Sequence, residues 1–341
     1  MDFSIDMLDL GNADCDIIWI KDQGQDYITI IDGGNPNDAK KIIAHYEKNI
    51  KQHIKDETPI LIINTHPHKD HIGGLIDLVH YFKNQIARFY YNDPTKYISE
   101  DKRSGIRTLN ESILYSNNKV KRIMESFKDV DNLKEVLAQY NIQPIEAFSD
   151  TILDHNFFEI VGPSKAFYLE QLEHFSNIER MKFMSLNTLK EAEVSEVEEG
   201  LKPCAILDEK NDSSAENLTS VLTKFIDSKG RKYLFTADAG IDSFESSVNN
   251  GYDIKNLHIC QLPHHGSRRN MSTNWVANFN PTQFWVSANG STKHPRKAVI
   301  SCIKKNLPNC NVYSTHKGGT KHINSTNGIF PKRNWTTANP L

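Results

Sequence analysis

Long apolar runs are absent from this 341-residue sequence. No stretch approaches the roughly 18 consecutive apolar residues that a membrane-spanning helix needs. The first residues, MDFSID, also lack the basic and then apolar order of a signal peptide. We therefore expect a cytoplasmic protein. The hydrophobic fraction of 38 % is sufficient for a substantial core, and we favour a single domain over residues 1–341, with insertions, above two ordinary domains.

Cysteine is scarce, and its five positions are scattered along the chain. They form no C-x-x-C pair, which removes the usual signature of a structural zinc site or a redox couple. Because disulfides are rare in cytosolic proteins, we predict that the cysteines are reduced and mostly buried. They are Cys15, Cys204, Cys260, Cys302 and Cys310.

Acidic residues are missing from the C-terminal quarter of the chain. Asp253 is the last of them, so the final 88 residues carry twelve Lys and Arg but no Asp or Glu. The first 253 residues hold 28 basic residues against all 43 acidic ones, a net charge of −15, whereas the whole chain has −3. This asymmetry predicts an electropositive face that attracts anions; the alternative is a chance lack of acids on a solvated surface.

Apolar periodicity predicts alternating strands and helices. The predicted strands are 3–10, 17–20, 27–31, 59–64, 87–91, 157–161, 218–225, 232–236, 257–262, 283–287 and 311–314, and the predicted helices are 37–54, 73–82, one from about 273, and 296–306. The polar, helix-prone stretch 94–143 is interpreted as a helical insertion. Residues 165–212 are charged and poor in strand formers, so we predict a flexible segment whose acidic run 191–199 is solvated.

The segment 66–71, HPHKDH, carries the strongest chemical signal in the sequence. His66 and His68 lie two residues apart at the end of a predicted buried strand, so both imidazoles can project to the same side and share one metal ion. Asp70 and His71 follow as the chain turns into a helix. A carboxylate and a third imidazole placed there can hold a second metal ion, at the roughly 3.5–4 Å separation of binuclear hydrolase sites.

An H-x-H-x-D-H motif after a buried strand resembles the defining motif of the metallo-β-lactamase superfamily. Other segments resemble the hydrolase domain of the competence protein ComEC, namely 8–14 (LDLGNAD), 30–34 (IIDGG), 263–267 (PHHGS) and 293–295 (KHP). The resemblance covers residues 3–93 and 215–320. It implies an α/β (α+β) fold, the αββα sandwich of that superfamily, here with a helical insertion.

The resemblance also points to site residues in the second half of the chain. It implies that Asp238, at a strand end, is a carboxylate that bridges two metal ions. His264 and His265 follow another apolar strand, where adjacent side chains point to opposite sides. We therefore expect one direct ligand, favour His264, and place His265 against the substrate or behind a ligand. His294 is expected to be a further ligand or a phosphate contact.

Many superfamily members have one more ligand histidine between the first motif and the bridging Asp. This sequence offers only His80, His155 and His174 in that interval. None has a convincing context, and we interpret all three as surface or core histidines. One metal ion is then less fully coordinated, and a mononuclear site stays open as an alternative.

The resemblance implies two divalent cations, held by His66, His68, Asp70, His71, Asp238 and His264. A bound cation can lower the pKa of water to about 7 and polarise the oxygen under attack, so no Ser or Cys nucleophile is required. Asp70 or Asp238 would orient the water, and His265 or His294 would stabilise charge or protonate the leaving group. Zinc is the default metal, with manganese or iron as alternatives.

The favoured substrate is a phosphodiester in nucleic acid. The ComEC-like domain is associated with DNA degradation, and the acid-free C-terminal region supplies basic residues near the predicted site: Arg268, Arg269, Lys293, Arg296 and Lys297. Against this, the net charge is negative and no basic track interleaved with aromatics is present. The alternatives are a small phosphodiester such as a cyclic nucleotide or phosphorylcholine ester, a lactone or thioester, and a non-enzymatic module that binds a protein partner through the insertion.

Overall fold

A computed structural model describes residues 1–112, 118–151, 153, 157–175, 177, 195–209, 214–291, 293–317, 319–324, 329–333 and 338–341. Two β-sheets form the centre of the fold. The strands of the first sheet, numbered in chain order, are Asp2–Met7 (β1), Asp16–Asp22 (β2), Gln25–Ile31 (β3), Ile60–Ile63 (β4), Ile86–Tyr90 (β5), Pro144–Ile145 (β6) and, near the C-terminus, Lys321–Asn324 (β13). Their order across the sheet is β13-β1-β2-β3-β4-β5-β6.

The second sheet is formed by the strands that follow β6 in sequence. They are Phe158–Gly162 (β7), Leu222–Ile226 (β8), Lys232–Phe235 (β9), Ile259–Gln261 (β10), Gln283–Val286 (β11) and Asn311–Ser314 (β12). Their order is β12-β11-β10-β9-β8-β7. Strands β9 to β12 pair in parallel, as do β3, β4 and β5 of the first sheet. The carboxyl ends of these parallel strands therefore lie along one edge of each sheet.

Helices cover the outer faces of both sheets. The helices of the described residues are Ala39–Asn49 (α1), Lys69–Ile72 (α2), Leu75–Phe82 (α3), Glu100–Ser112 (α4), Asn118–Gln139 (α5), Lys165–Phe175 (α6), Glu196–Leu201 (α7), Pro203–Asp208 (α8), Ala215–Leu218 (α9), Ile241–Asn249 (α10), Thr273–Phe279 (α11) and Lys297–Asn306 (α12). Short 3-10 helices lie at Lys51–His53, Pro94–Lys96, Pro263–Gly266 and Thr315–Lys317. Within the described ranges, no helix is both long and apolar enough to cross a bilayer.

Alternation along the strands separates an inner and an outer core. In β2, Ile18 and Ile20 pack between the sheets, whereas Ile17 and Trp19 pack against the helices outside the first sheet. The inner core continues into the second sheet, and helices α10, α11 and α12 cover that sheet's outer face. The order of layers is helix, sheet, sheet, helix, which confirms the predicted αββα fold.

Helices α4 and α5 lie inside the stretch 94–143, for which the sequence predicts a helical insertion. Helix α5 packs against α3 of the outer layer and also against α2. Since α2 begins within the HPHKDH segment, the insertion adjoins the part of the chain that carries the predicted site.

Two expectations from the sequence are corrected. Residues 165–212 contain helices α6, α7 and α8, and Glu199 of the acidic run is fully buried rather than solvated because its carboxylate binds Arg296 and the Ala298 N–H. Cys204 and Cys302 are not reduced but form a disulfide, since α8 packs against α12 and brings their Cα atoms to 5.0 Å. Of the charged segment 165–212, residues 176, 178–194 and 210–212 lie outside the described residues.

Candidate metal centre

The ends of the parallel strands β3 and β4 position the HPHKDH segment. Asp32 follows β3, and Asn64 and Thr65 follow β4 directly beside it. The Asp32 carboxylate accepts hydrogen bonds from Asn64 Nδ2 at 3.1 Å, from the Thr65 N–H at 2.8 Å and from Thr65 Oγ1 at 2.6 Å. Asp32 therefore fixes the backbone from which His66 starts.

A glycine allows the turn after the motif to approach β3. A Cβ atom on Gly74 would lie 2.2 Å from the carbonyl oxygen of Gly33, a contact that no other residue can make without moving the backbone. Two backbone hydrogen bonds hold the turn against the end of β3, from the Gly33 N–H to His71 O at 2.7 Å and from the Gly74 N–H to Gly34 O at 3.2 Å. The imidazole of His71 is thereby brought onto Asp32.

Hydrogen bonds determine which nitrogen of three imidazoles faces the site. His71 Nδ1 lies 2.7 Å from Asp32 Oδ2, and His265 Nδ1 lies 3.0 Å from the carbonyl oxygen of Ser287. Both partners can only accept, so Nδ1 carries a proton in each ring, and Nε2 holds the lone pair whenever the ring is neutral, as it is in a metal ligand. The Thr65 hydroxyl donates to Asp32 and can accept from His66 Nδ1 at 3.2 Å. In that arrangement His66 Nε2 also holds a lone pair.

The backbone at His264 and His265 differs from the extended conformation assumed from the sequence. Both residues are left-handed, with φ values of 49° and 55°. Side chains alternate only in extended backbone, so the premise that just one of the two can face the site is wrong. Both rings lie within 4.0 Å of Asp238.

The two carboxylate oxygens of Asp238 face different histidines. Oδ2 lies 3.8 Å from His66 Nε2 and 3.6 Å from His264 Nε2. Oδ1 lies 3.3 Å from His71 Nε2 and 4.0 Å from His265 Nε2. Asp238 is buried just beyond the end of β9, and its carboxylate stands between two sets of ligand atoms as a bridging ligand does.

Ligand-type side chains gather in two groups that share Asp238: Asp14, His71, Asp238 and His265 in one, and His66, His68 and Asp238 in the other. The donor atoms of each group lie within 4.8 Å of one another. Asp70 adjoins the first group, with Oδ2 at 3.4 Å from His265 Nε2. His68 and Asp70 are half-buried, so the groups open on the side of the motif loop.

Three buried atoms in these groups make no hydrogen bond to any described residue: His66 Nε2, His71 Nε2 and Asp238 Oδ1. A buried polar atom left unsatisfied costs about 1–3 kcal/mol, and folded proteins satisfy nearly all of them. Imidazole nitrogen and carboxylate oxygen are the donors that zinc, manganese and iron accept. The residues present therefore fit divalent metal ions.

Burial and mutual charge shift the protonation of these groups strongly. Burial alone would raise the pKa of Asp238, but His264 and His71 hold it well below its ordinary value. Burial opposes charge on His71 as well, yet Asp32 and Asp238 raise its pKa well above the usual range. Burial raises the pKa of Asp14 to about 6. The interior thus holds carboxylate charge surrounded by imidazoles.

His294, which the sequence predicts as a further ligand or a phosphate contact, lies beside His264. The two rings stack with centroids 5.6 Å apart and an interplanar angle of 24°. His294 is buried, and its Nδ1 makes no hydrogen bond to a described residue. Burial, together with His265 and His264, lowers the pKa of His294 to about 3.

His264 has a second neighbour besides His294. Its Nδ1 lies 3.0 Å from the side-chain amide nitrogen of Asn217.

Two of the three histidines considered as an additional ligand, His80 and His174, are described by the structure, and neither lies at this site. His80 lies on α3, and its Nδ1 is 2.8 Å from the hydroxyl of Tyr140. His174 is exposed on α6. His155 lies outside the described residues.

Sequence reasoning assigned no role to Asp14, Asp32, Asn217 or Gln261, all of which contact the site. Asp32 could have been found, since it ends a strand parallel to the one that precedes the motif and such strand ends share one edge. Asp14 and Asp32 also lie in the two N-terminal segments that carry the family resemblance. Asn217 and Gln261 have no comparable signal, because each contacts a residue distant in sequence: Asn217 contacts His264, and Gln261 contacts Asp14 of the other sheet.

Residues 10–137 match the family model described as the Metallo-beta-lactamase superfamily. A search among curated proteins finds no significant match. Among solved structures, the chain is similar to the metallo-beta-lactamase fold protein YhfI from Bacillus subtilis, with 9 % identity over 95 % of this chain and 100 % of that one and a TM-score of 0.46.

Two further solved structures show a similar relation. Human tRNase Z, short form, has 10 % identity over 84 % of this chain and 92 % of that one, with a TM-score of 0.38. The metallo-beta-lactamase MIM-1 from Novosphingobium pentaromativorans has 11 % identity over 76 % of each chain, with a TM-score of 0.33. No conclusion about substrate follows from likenesses this distant.

Proposed function

We propose that this chain, which contains a metallo-beta-lactamase superfamily domain, is a two-metal phosphodiesterase that cleaves DNA or RNA. The superfamily consists of metal-dependent hydrolases. The observation that carries the proposal is the position of Asp238, whose two oxygens face two separate sets of histidines. A carboxylate in this position can be shared by the two metal ions of a binuclear hydrolytic site.

The histidine ligands are assigned from the Asp238 oxygen that each ring faces, and Asp70 is added because its Oδ2 lies 3.4 Å from His265 Nε2. Asp14 is left out because its carboxylate lies beside the Nδ1 atoms of His71 and His265. On the Oδ2 side, the first metal ion would be held by His66, His68 and Asp238. His264 would be the fourth ligand with the Asn217 amide turned so that its Oδ1 accepts from His264 Nδ1, which leaves the lone pair on Nε2. On the Oδ1 side, the second would be held by Asp70, His71, His265 and Asp238. This set keeps the six ligands proposed from the sequence and moves His265 from a supporting role to a ligand, because the Ser287 carbonyl fixes its Nε2 lone pair toward the site.

When bound, two divalent cations lower the pKa of a coordinated water to about 7 and offset charge on the phosphoryl oxygens. The residues of the chain then have to orient these reactants. Asp70 is the half-buried carboxylate at the edge of the site and can accept a hydrogen bond from the attacking water. His294 offers a buried imidazole, stacked on His264, that can donate a hydrogen bond to a phosphoryl or leaving-group oxygen.

Charge near the site supports a phosphodiester over a neutral ester or lactone. Arg268 and Arg269 follow the His264–His265 turn within five residues, and both are half-buried. Lys293 precedes His294 in the segment that has no acidic residue. Phosphate groups bind such Arg and Lys side chains, and the polymer offers several phosphates at once.

The proposal is tested by metal-dependent cleavage of single- and double-stranded DNA and RNA under zinc and under manganese. Bis-(p-nitrophenyl) phosphate and a lactone are assayed beside them. Asp70→Ala is compared with Asp77→Ala, an exposed Asp on the neighbouring helix α3, as the matched control. We expect polynucleotide cleavage in the wild type and in Asp77→Ala and its loss in Asp70→Ala. Hydrolysis of the small diester or the lactone alone would refute the nuclease function.

A further inference from the structure

We propose that Gln261 is a positioning residue that joins the two halves of the metal centre by a hydrogen bond to Asp14, an inference that rests on the proposed two-metal function. Gln261 is the last residue of β10 and is 4 % exposed. Asp14 lies in the loop between β1 and β2, on the other sheet, and is equally buried. Gln261 Nε2 donates to Asp14 Oδ2 at 3.1 Å.

Backbone donors fix the orientation of the Gln261 amide. Its Oε1 accepts hydrogen bonds from the Thr236 N–H at 2.9 Å and from the Ala237 N–H at 3.0 Å. Because N–H groups can only donate, Oε1 must face them and Nε2 must face Asp14. The hydrogen bond between Gln261 and Asp14 therefore has a defined direction, with the amide as donor and the carboxylate as acceptor.

On the second sheet, Gln261 holds the turn that presents the bridging carboxylate. Ala237 has a φ of 46°, a left-handed conformation that is uncommon for a residue with a Cβ atom. Its N–H is bound by Gln261, and its carbonyl accepts from the His264 N–H at 2.9 Å. Asp238 follows Ala237 directly. Loss of the Gln261 hydrogen bonds would therefore free the backbone N–H groups of the two residues that precede Asp238.

On the first sheet, Asp14 is part of the wall formed by the HPHKDH segment. Its N–H donates to the carbonyl of Asp70 at 3.1 Å, and its carbonyl accepts from the Gly34 N–H at 2.9 Å. Its carboxylate lies 3.7 Å from His265 Nδ1 and 4.0 Å from His71 Nδ1.

The Asp14–Gln261 hydrogen bond thus spans the gap between the loop that carries Asp70 and the turn that carries Asp238. Neither residue is a proposed ligand. Their contacts set how far apart the ligands contributed by the two sheets lie. Groups that orient ligands in this way typically change metal affinity by about 10–100-fold when removed.

The test is metal affinity and stoichiometry, measured by calorimetry with zinc and with manganese and without substrate. Gln261→Met keeps the volume but removes both the donor and the acceptor. In Gln261→Glu, a carboxylate oxygen faces the Asp14 carboxylate. Combining Gln261→Glu with Asp14→Asn restores one amide–carboxylate hydrogen bond with donor and acceptor exchanged, at an unchanged net charge.

We expect the weaker-bound ion to lose about 10–100-fold in affinity in Gln261→Met and Gln261→Glu, and to regain most of it in the double variant. Gln283→Met is the matched control, because this glutamine lies on the neighbouring strand β11 and bonds Trp285 Nε1 at 2.9 Å. It should bind both ions as the wild type does. Thermal unfolding of the metal-free proteins shows which variants fold.

Each result has a distinct meaning. Wild-type affinity in folded Gln261→Met and Gln261→Glu would overturn the inference, as would a double variant that binds as weakly as Gln261→Glu. A wild type that binds no metal would overturn the proposed function and, with it, this inference. Two ions in the wild type together with unaffected Gln261 variants would overturn the inference alone.

Discussion

Asp32 shows how a residue outside the ligand set determines the chemistry of the ligands. Its carboxylate accepts from Asn64, from both the N–H and the hydroxyl of Thr65, and from His71 Nδ1. These bonds fix the backbone before His66 and leave His71 Nε2 directed at Asp238. At the scale of single residues, the metal centre therefore depends on hydrogen bonds made to the far side of its imidazoles.

Asp32→Asn tests this dependence while preserving shape, since Asn tolerates the φ of 62° at this position. The amide can no longer accept on both sides, so His71 loses its fixed orientation. We expect metal affinity to fall about 10–100-fold, measured by competition with a chromogenic chelator. Asp227→Asn, which changes a buried Asp in the turn between β8 and β9, should leave affinity unchanged. Equal affinities in the two variants would contradict this role of Asp32.

Asp227 itself provides a pH-dependent contribution to stability. Burial would raise its pKa, but hydrogen bonds from Arg231 and from the Lys229 N–H lower it below the ordinary 3.8. A depressed folded-state pKa gives stability that is present above the unfolded-state value and is lost as the pH falls through the folded-state value.

We therefore expect Asp227→Asn to lower the free energy of unfolding by about 1–3 kcal/mol near neutral pH. The difference from the wild type should shrink as the pH falls below about 4. Urea denaturation at a series of pH values measures it. A difference that is constant from pH 3 to 7 would show that the charge on Asp227 does not contribute.

At the scale of elements, the sequence predicted those strands whose apolar pattern is continuous. The predicted strand 59–64 contains β4, and 283–287 contains β11. The proposed ligands follow β4, β9 and β10, and all three of these strands were predicted from the sequence. Short edge strands such as Pro144–Ile145 were missed, because two residues carry too little periodicity to be recognised.

Features that depend on contacts between distant elements could not be predicted. The left-handed conformation of His264 and His265 is set by the turn that contacts Ala237, not by local composition. The Cys204–Cys302 disulfide joins residues 98 positions apart. Glu199 looks like one more residue of an acidic run, yet α7 places it in the interior beside Arg296.

Glu199 connects α7 to the start of α12, next to the loop that carries His294. Its carboxylate binds the Arg296 guanidinium and accepts from the Ala298 N–H at 3.1 Å. Glu199→Gln removes the charge of one partner from a buried pair, which should cost about 3 kcal/mol in unfolding free energy. Chemical denaturation measures this loss. Glu196→Gln, an exposed site on the same helix, should change stability by less than about 0.5 kcal/mol; equal losses in the two variants would contradict the role of the buried pair.

At the scale of the whole molecule, the candidate metal centre takes residues from both sheets. The first sheet contributes the HPHKDH segment, and the second contributes Asp238 and the His264–His265 pair. The acid-free C-terminal quarter belongs largely to the second sheet and its helices α11 and α12. The sheet that carries Asp238 and the His264–His265 pair therefore also carries most of the acid-free part of the chain.

If this basic part binds polynucleotide phosphates, affinity should fall steeply with salt concentration. Combining Arg268→Ala with Arg269→Ala should reduce the slope of log affinity against log salt by about 1 for each phosphate that is no longer neutralised. Lys304→Ala with Lys305→Ala removes the same charge from the far end of α12 and is the matched control. Fluorescence anisotropy of labelled DNA measures both slopes. Equal slopes in the two double variants would exclude phosphate binding by Arg268 and Arg269.

The count of metal ions per chain, in the wild type and in Asp238→Asn, tests the central claim most directly. Elemental analysis after equilibrium dialysis against zinc or manganese gives this number without any assumption about substrate. We predict two ions per wild-type chain and no more than one in Asp238→Asn, because the amide offers only one oxygen in place of the two that face separate histidines. A single ion in the wild type, or two ions retained in Asp238→Asn, would contradict a binuclear centre bridged by Asp238.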